Sequence, residues 1–235
     1  MLVDTMSQAE ITREIFLDWE ILIEKTLPRI AQEYDRIRRR LKVKKNSDFP
    51  KAYDIRTRRK NCWVFILRKG RDIERYGGLK DIDLSKFIHY FTPLGIRVFE
   101  IIGDKDNELA VYNAHLFSRY RERMNLGIIK PIDVVKHFFI NDGYAFDNIG
   151  ENGGNIFTVR QSGITLGRYS PENNWLINNT FISNGMLFDG QIDNIGQLIE
   201  SIKNEIEGLK LFGKENDVRC RSLIAVLNSL SPENF

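Results

Sequence analysis

The residues best suited to chemistry lie in one short run, Ala114-His115-Leu116-Phe117-Ser118-Arg119-Tyr120-Arg121-Glu122-Arg123-Met124. At 100° per residue on a helix, His115, Arg119 and Arg123 fall within about 80° of one another, and Leu116, Phe117, Tyr120 and Met124 form the neighbouring stripe. One face would pack, and the adjacent face would carry an imidazole and two guanidiniums. That set suits phosphodiester cleavage, because His exchanges a proton near neutral pH while Arg grips a phosphate with two donors and stabilises developing charge. The same run also reads as an ordinary amphipathic helix, with Glu122 pairing to neighbouring arginines and His115 capping the first turn. Both readings stay open at the level of sequence.

A second set of residues points to phosphate without catalysis. From Arg36 to Arg71 the chain carries 15 Lys/Arg against the two acids Asp48 and Asp54, a local charge of +13. The other 199 residues hold 20 Lys/Arg and 30 acids, so a net charge of +3 conceals a basic segment set against an acidic remainder. Lys and Arg that neutralise phosphates release condensed counterions, which makes such a segment the footprint of a polyanion-binding face. The candidate contacts are Arg38, Arg39, Arg40, Arg56, Arg58, Arg59, Lys60 and Arg68. A solvated helix end and the outer face of a hairpin, neutralised by acids elsewhere in the chain, would give the same composition.

The strand-then-helix pattern Tyr112-Asn113-Ala114-His115, continued by Arg119-Tyr120-Arg121-Glu122-Arg123 and later by Asn179-Thr180-Phe181-Ile182-Ser183, resembles the barnase, EndoU, colicin and RelE-like ribonuclease superfamily over residues 108 to 185. The resemblance implies a helix with a His-xxx-Arg motif facing a small antiparallel sheet whose last strand offers a hydroxyl. Carried onto this chain, the catalytic candidates are His115, Arg119, Arg123 and Thr180. The implied activity is metal-independent RNA cleavage through the ribose 2′-hydroxyl, with no cofactor. Two features depart from the pattern: the insertion Gly127–Gly154 and a long additional N-terminal region.

Other signals are weaker. His89 and His137 sit in apolar-flanked segments read as helical, with no HExxH or paired-carboxylate spacing, and no metal site is expected. Glu151-Asn152-Gly153-Gly154-Asn155 precedes a strand and reads as a turn, not a phosphate cradle. Arg160 and Arg168 either face the same cleft as His115 or are solvated strand residues. Tyr53, Trp63, Phe65 and Tyr76 interleave with the basic run, where they could stack on bases, although core is the commoner fate of such residues. Cys62 and Cys220 lack CxxC spacing and read as buried thiols.

These residues need elements to hold them. Ile23, Leu27, Ile30, Tyr34, Ile37 and Leu41, extended upstream by Phe16 and Trp19, form an apolar stripe along a helical region spanning Ser7 to Lys45. Pro28 should kink or split that region near Thr26. The stripe must pack on the domain or on a second copy of the chain, so homo-oligomerisation through the N-terminal helix is one expectation. Hairpin strands are expected at Ala52–Arg58 and Cys62–Arg68, a short helix at Ile82–Tyr90, and strands at Gly95–Ile102 and Glu108–Asn113. Helices should follow at His115–Asn125 and Ile132–Asn141, then strands at Asn155–Tyr169, bent at Ser162-Gly163, and at Trp175–Ser183. Helices over Asp193–Leu211 and Val218–Leu230 close the pattern.

Strands joined by short turns and interrupted by a helix pair predict an α+β fold: an antiparallel sheet flanked by helices, with a long N-terminal helical arm. Any domain division is expected at Lys44–Pro50, giving a helical region 1–45 and an α+β domain 46–235, with one continuous domain that includes the arm as the alternative. With 235 residues, 42% of them hydrophobic and 29% charged, the chain can bury a core without disulfides or a metal, and it fits neither the disordered nor the membrane class. No secretory leader is legible, so the expected location is the cytoplasm. The expected function is interaction with RNA or another nucleic acid, either as a toxin-like ribonuclease or as a non-catalytic binding or interaction module.

Overall fold

A computed structural model describes residues 1–41, 50–68, 83–103, 108–141, 146–149, 154–160, 162–186, 204–208 and 210–211. The fold is α+β, and the chain divides into two compact units, residues 1–111 with 172–174 and residues 112–171 with 175–235. The expected boundary at Lys44–Pro50 therefore lies inside the first unit, because the N-terminal helices pack on the strands that follow them.

Helix α1 (Gln8–Lys25) starts on a reciprocal cap: the Glu10 backbone N–H donates to Ser7 Oγ while the Ser7 N–H donates to the Glu10 carboxylate. It ends at Thr26, and α2 (Leu27–Leu41) begins with Pro28 in its first turn, where a missing N–H costs nothing. The expected break near Thr26 is present, and of the stripe read in the sequence Trp19, Ile30 and Tyr34 are buried, but Ile23 is not. Ile11, Ile15, Trp19 and Leu22 are the buried apolar side chains of α1, and Ile23 is 42% exposed. Trp19 stacks on Trp63 and Phe65 at centroid distances of 6.0 and 6.3 Å, so α1 spends its apolar face on its own sheet.

That sheet runs in chain order, β1 (Lys51–Arg56), β2 (Cys62–Arg68), β3 (Asp83–Thr92), β4 (Gly95–Gly103) and β5 (Glu108–Tyr112). The pairs β1–β2, β2–β3 and β3–β4 are antiparallel. The segment Ile82–Tyr90, expected as a helix, is strand β3 from Asp83 onward. Its side chains are buried on both faces, Ser85 and Phe87 on one and Ile88 and Tyr90 on the other, so no alternation marks it as a strand.

In the second unit α3 (Ala114–Arg123) and α4 (Pro131–Asn141) are followed by β6 (Phe146–Ile149), β7 (Asn155–Arg160), β8 (Gly163–Ser170) and β9 (Trp175–Ser183). The four strands form an antiparallel meander in the order β9-β8-β7-β6. Strand β6 falls in a stretch with no expected element. Helix α3 closes with Asn125 in the left-handed region (φ 49°), and the Leu126 N–H donates to the Arg121 carbonyl. Its Tyr120 packs edge-on against Phe138 of α4 and Phe181 of β9, both at 5.0 Å. Residues 204–208 and 210–211 are helical, within the expected Asp193–Leu211; the expected helix Val218–Leu230 lies outside the described residues.

Two glycines let β8 approach β9 closely. A Cβ on Gly167 would fall on the Ile177 carbonyl, and one on Gly163 on the Ile182 carbonyl; the β8–β9 register shifts between Leu166 and Gly167. The obstacle is backbone, which cannot rotate away. Gly167→Ala should therefore cost at least about 3 kcal/mol of unfolding free energy in urea titration. Gly127→Ala, with open space around its Cβ, should change stability by no more than about 1 kcal/mol.

Candidate functional site

The β1–β2 hairpin, which carries Arg56, Arg58, Arg59 and Lys60 of the basic segment, is fixed from beneath by two buried acids of α1. Four residues apart on one helix, Glu14 and Asp18 both point at the β1–β2 turn. Asp18 is 1% exposed, and its Oδ2 accepts from Thr57 Oγ1 (2.9 Å), Asn61 Nδ2 (2.7 Å) and Trp63 Nε1 (3.1 Å). Glu14 accepts from Arg59 Nε (2.9 Å), Asn61 Nδ2 (3.1 Å) and the Met1 amine (2.8 Å), and it forms an ion pair with Arg59. Asn61 is wedged between the two carboxylates, and its Oδ1 accepts from the Leu2 N–H (2.7 Å). The turn closes through the Thr57 N–H to the Asn61 carbonyl and the Lys60 N–H to the Thr57 carbonyl, with Lys60 left-handed at φ 64°.

This arrangement sorts the candidate cations. Arg59 is held by Glu14 and lies 3.9 Å from Asp18. Arg56, Arg58 and Lys60 are exposed around it, and no ion pair engages them among the described residues. Nearby Lys51, at the start of β1, is paired with Glu33 of α2. Arg38, Arg39 and Arg40 lie in the last turns of α2 and Arg68 ends β2; their side chains are outside the described residues. Trp63 and Phe65 are core, as expected, Tyr53 is half-buried, and Tyr76 is outside the described residues.

In the second unit, α3 packs on β9 through Tyr120 and Phe181, and Thr180, next to Phe181 on the strand, turns its side chain to the other face. The Arg123 guanidinium donates to the Phe181 carbonyl, one residue beyond Thr180. Arg119 pairs with Glu122 at 2.8 Å, the pairing an ordinary amphipathic helix would make. His115 is exposed, on the side of α3 away from the buried Leu116, Phe117 and Tyr120. Arg160, read as a cleft or solvated residue, is 2% exposed: it donates to the Tyr112 hydroxyl at 2.9 Å and lies over the rings of Phe138 (4.4 Å) and Tyr112 (5.4 Å). Arg168 is exposed. His137 bonds Tyr120 Oη through Nδ1 at 3.0 Å, a structural role. His89 stands on strand β3, not on the expected helix, and packs edge-on against Phe91 at 6.0 Å.

No expectation from the sequence attached to Phe91. It is 60% exposed at the end of β3. The available signal was an aromatic residue immediately before the turn Thr92-Pro93-Leu94-Gly95, where no core position was required.

No protein-family model, no curated protein and no solved structure matches this chain. No described helix is long and apolar enough to cross a membrane.

Hydrogen bonding from Arg59 holds the Glu14 carboxyl well below the usual carboxylate range, at about 2. A depressed folded-state pKa contributes stability that is complete above the unfolded-state value, near 4.3, and is lost as pH falls toward 2. The wild-type urea midpoint should therefore fall between about pH 4.5 and 2. Glu14→Gln should be less stable at pH 7, by on the order of 1–3 kcal/mol, and lose less stability than wild type across that acidic window.

Proposed function

We propose that this protein binds nucleic acid through the cationic end of the β1–β2 hairpin and does so without catalysis. The observation that carries this reading is the sorting of cations at the turn. Arg56, Arg58, Arg59 and Lys60 are all exposed, but Arg59 is paired with Glu14, whereas no ion pair engages the other three among the described residues, on backbone held in place by Asn61 and the acids below it. A fixed turn spends little conformational entropy when its cations meet phosphates. The remaining charge of segment 36–71 adds to the same attraction.

A ribonuclease reading has one observation in its favour, the hydrogen bond from Arg123 of α3 to the Phe181 carbonyl of β9, although the Thr180 side chain alternates to the face opposite Phe181 and Tyr120. Against it stand the Arg119–Glu122 pair and the position of His115 on the outer side of α3. Under the binding reading, RNA incubated with the protein in EDTA stays intact. Cleavage that His115→Ala abolishes would replace this reading with the catalytic one.

Five to eight phosphate contacts would give a log–log salt slope of about −4 to −7 on duplex, with weak sequence preference. Replacing Arg56, Arg58 and Lys60 together by Gln should lower affinity and make the slope shallower by about 2–3. An unchanged slope in that variant, or no binding at low salt by the wild type, overturns the proposal.

A further inference from the structure

The register of the first unit's sheet places an aromatic platform beside these cations. Arg56 of β1 pairs with Cys62 of β2, and Cys62 pairs with His89 of β3, so the three side chains share one face of the sheet. Phe91, two residues beyond His89, lies on that face as well. Trp19 of α1 packs on Trp63 and Phe65, which alternate with Cys62 and occupy the opposite face. Deeper along the shared face, Val64, Ile66 and Phe87 are fully buried, but its end is open: Arg56 is exposed, Cys62 and His89 are half-buried, and Phe91 is 60% exposed.

Because β1 and β3 are both antiparallel to β2, the β1–β2 and β3–β4 turns leave the sheet at the same end. Arg58 and Lys60 therefore flank the row on the β1 side and Phe91 closes it on the β3 side. With strands 4.7–4.9 Å apart, Arg56 and His89 are separated by about 10 Å along the sheet, within reach of a nucleotide's phosphate and base together. The His89 ring, at 87° to Phe91, props the phenyl from its edge and leaves ring surface open to solvent.

We infer that the nucleic acid bound at this site is single-stranded, its backbone following Arg56, Arg58 and Lys60 and an unpaired base stacking on Phe91. A duplex hides its base faces and would meet only the cations, whereas a single strand meets cations and ring at once. This rests on the binding reading above and adds the class of ligand.

The test compares a single-stranded oligouridine about a dozen nucleotides long with an RNA duplex of equal length, at low salt, on the full chain. Wild type should prefer the single strand. Phe91→Ala should weaken single-strand binding roughly five- to a hundredfold and leave duplex binding unchanged. Phe91→Trp should restore it, and Leu94→Ala, at a 90% exposed neighbour, should bind as wild type. Equal wild-type affinity for both ligands, an unaffected Phe91→Ala variant, or equal loss on both would each overturn the stacking inference while cation-dependent binding stands. Full binding in the Arg56/Arg58/Lys60→Gln variant would overturn the binding reading itself.

Discussion

The first unit depends on a single amide. Asn61 bridges two buried carboxylates, its Nδ2 donating to both Glu14 and Asp18, and takes the Leu2 N–H on its oxygen. Two acids on adjacent turns of α1, sunk against a hairpin, would be expensive without such donors, since a buried charge must be paired or hydrogen-bonded. Thr57 and Trp63 add donors to Asp18 Oδ2, Arg59 and the Met1 amine add donors to Glu14, and Asp18 Oδ1, without a hydrogen bond, faces Arg59 Nε at 3.9 Å. The network joins residues 39 to 47 positions apart in the chain, so it fixes both the docking of α1 and the shape of the turn that displays the exposed cations.

Acids buried under a basic turn also divide the labour among similar side chains. Composition alone counts Arg56, Arg58, Arg59 and Lys60 as equals. In the structure Arg59 is a structural clamp, and the other three project outward around it. The second unit uses the same device differently. Arg160 is inside, bonded to a tyrosine hydroxyl and stacked on rings, where a guanidinium is easier to bury than an ammonium because it is weakly hydrated and planar.

Much of the architecture was legible because the signals were local. Pro28 marked the helix break, Arg59-Lys60-Asn61 between the two expected strands marked the hairpin, and the 115–125 and 132–141 periodicities marked α3 and α4. Strand β3 was not legible: Leu84, Phe87 and Ile88 fit helical spacing, and burial on both faces erased the alternation that would have exposed a strand. Strand β6 is only four residues long, with Asp147 and Asn148 in the middle. The candidate site was only partly legible. Basic composition marked the hairpin, but neither the capture of Arg59 by Glu14 nor the alignment of Phe91 with Arg56 can be seen without long-range pairing.

Misreading β3 as a helix hides what its parity achieves. On a strand, residues alternate between faces, and Phe91 meets the Arg56 face only because an even count separates it from His89, which is registered opposite Cys62. One residue gained or lost between His89 and Phe91 would carry the phenyl to the Trp19 side and bring a neighbour into its place. The sequence of this strand end is therefore constrained in length more tightly than in composition: an exchange of one aromatic for another keeps the surface, whereas an insertion that preserves every residue type abolishes it.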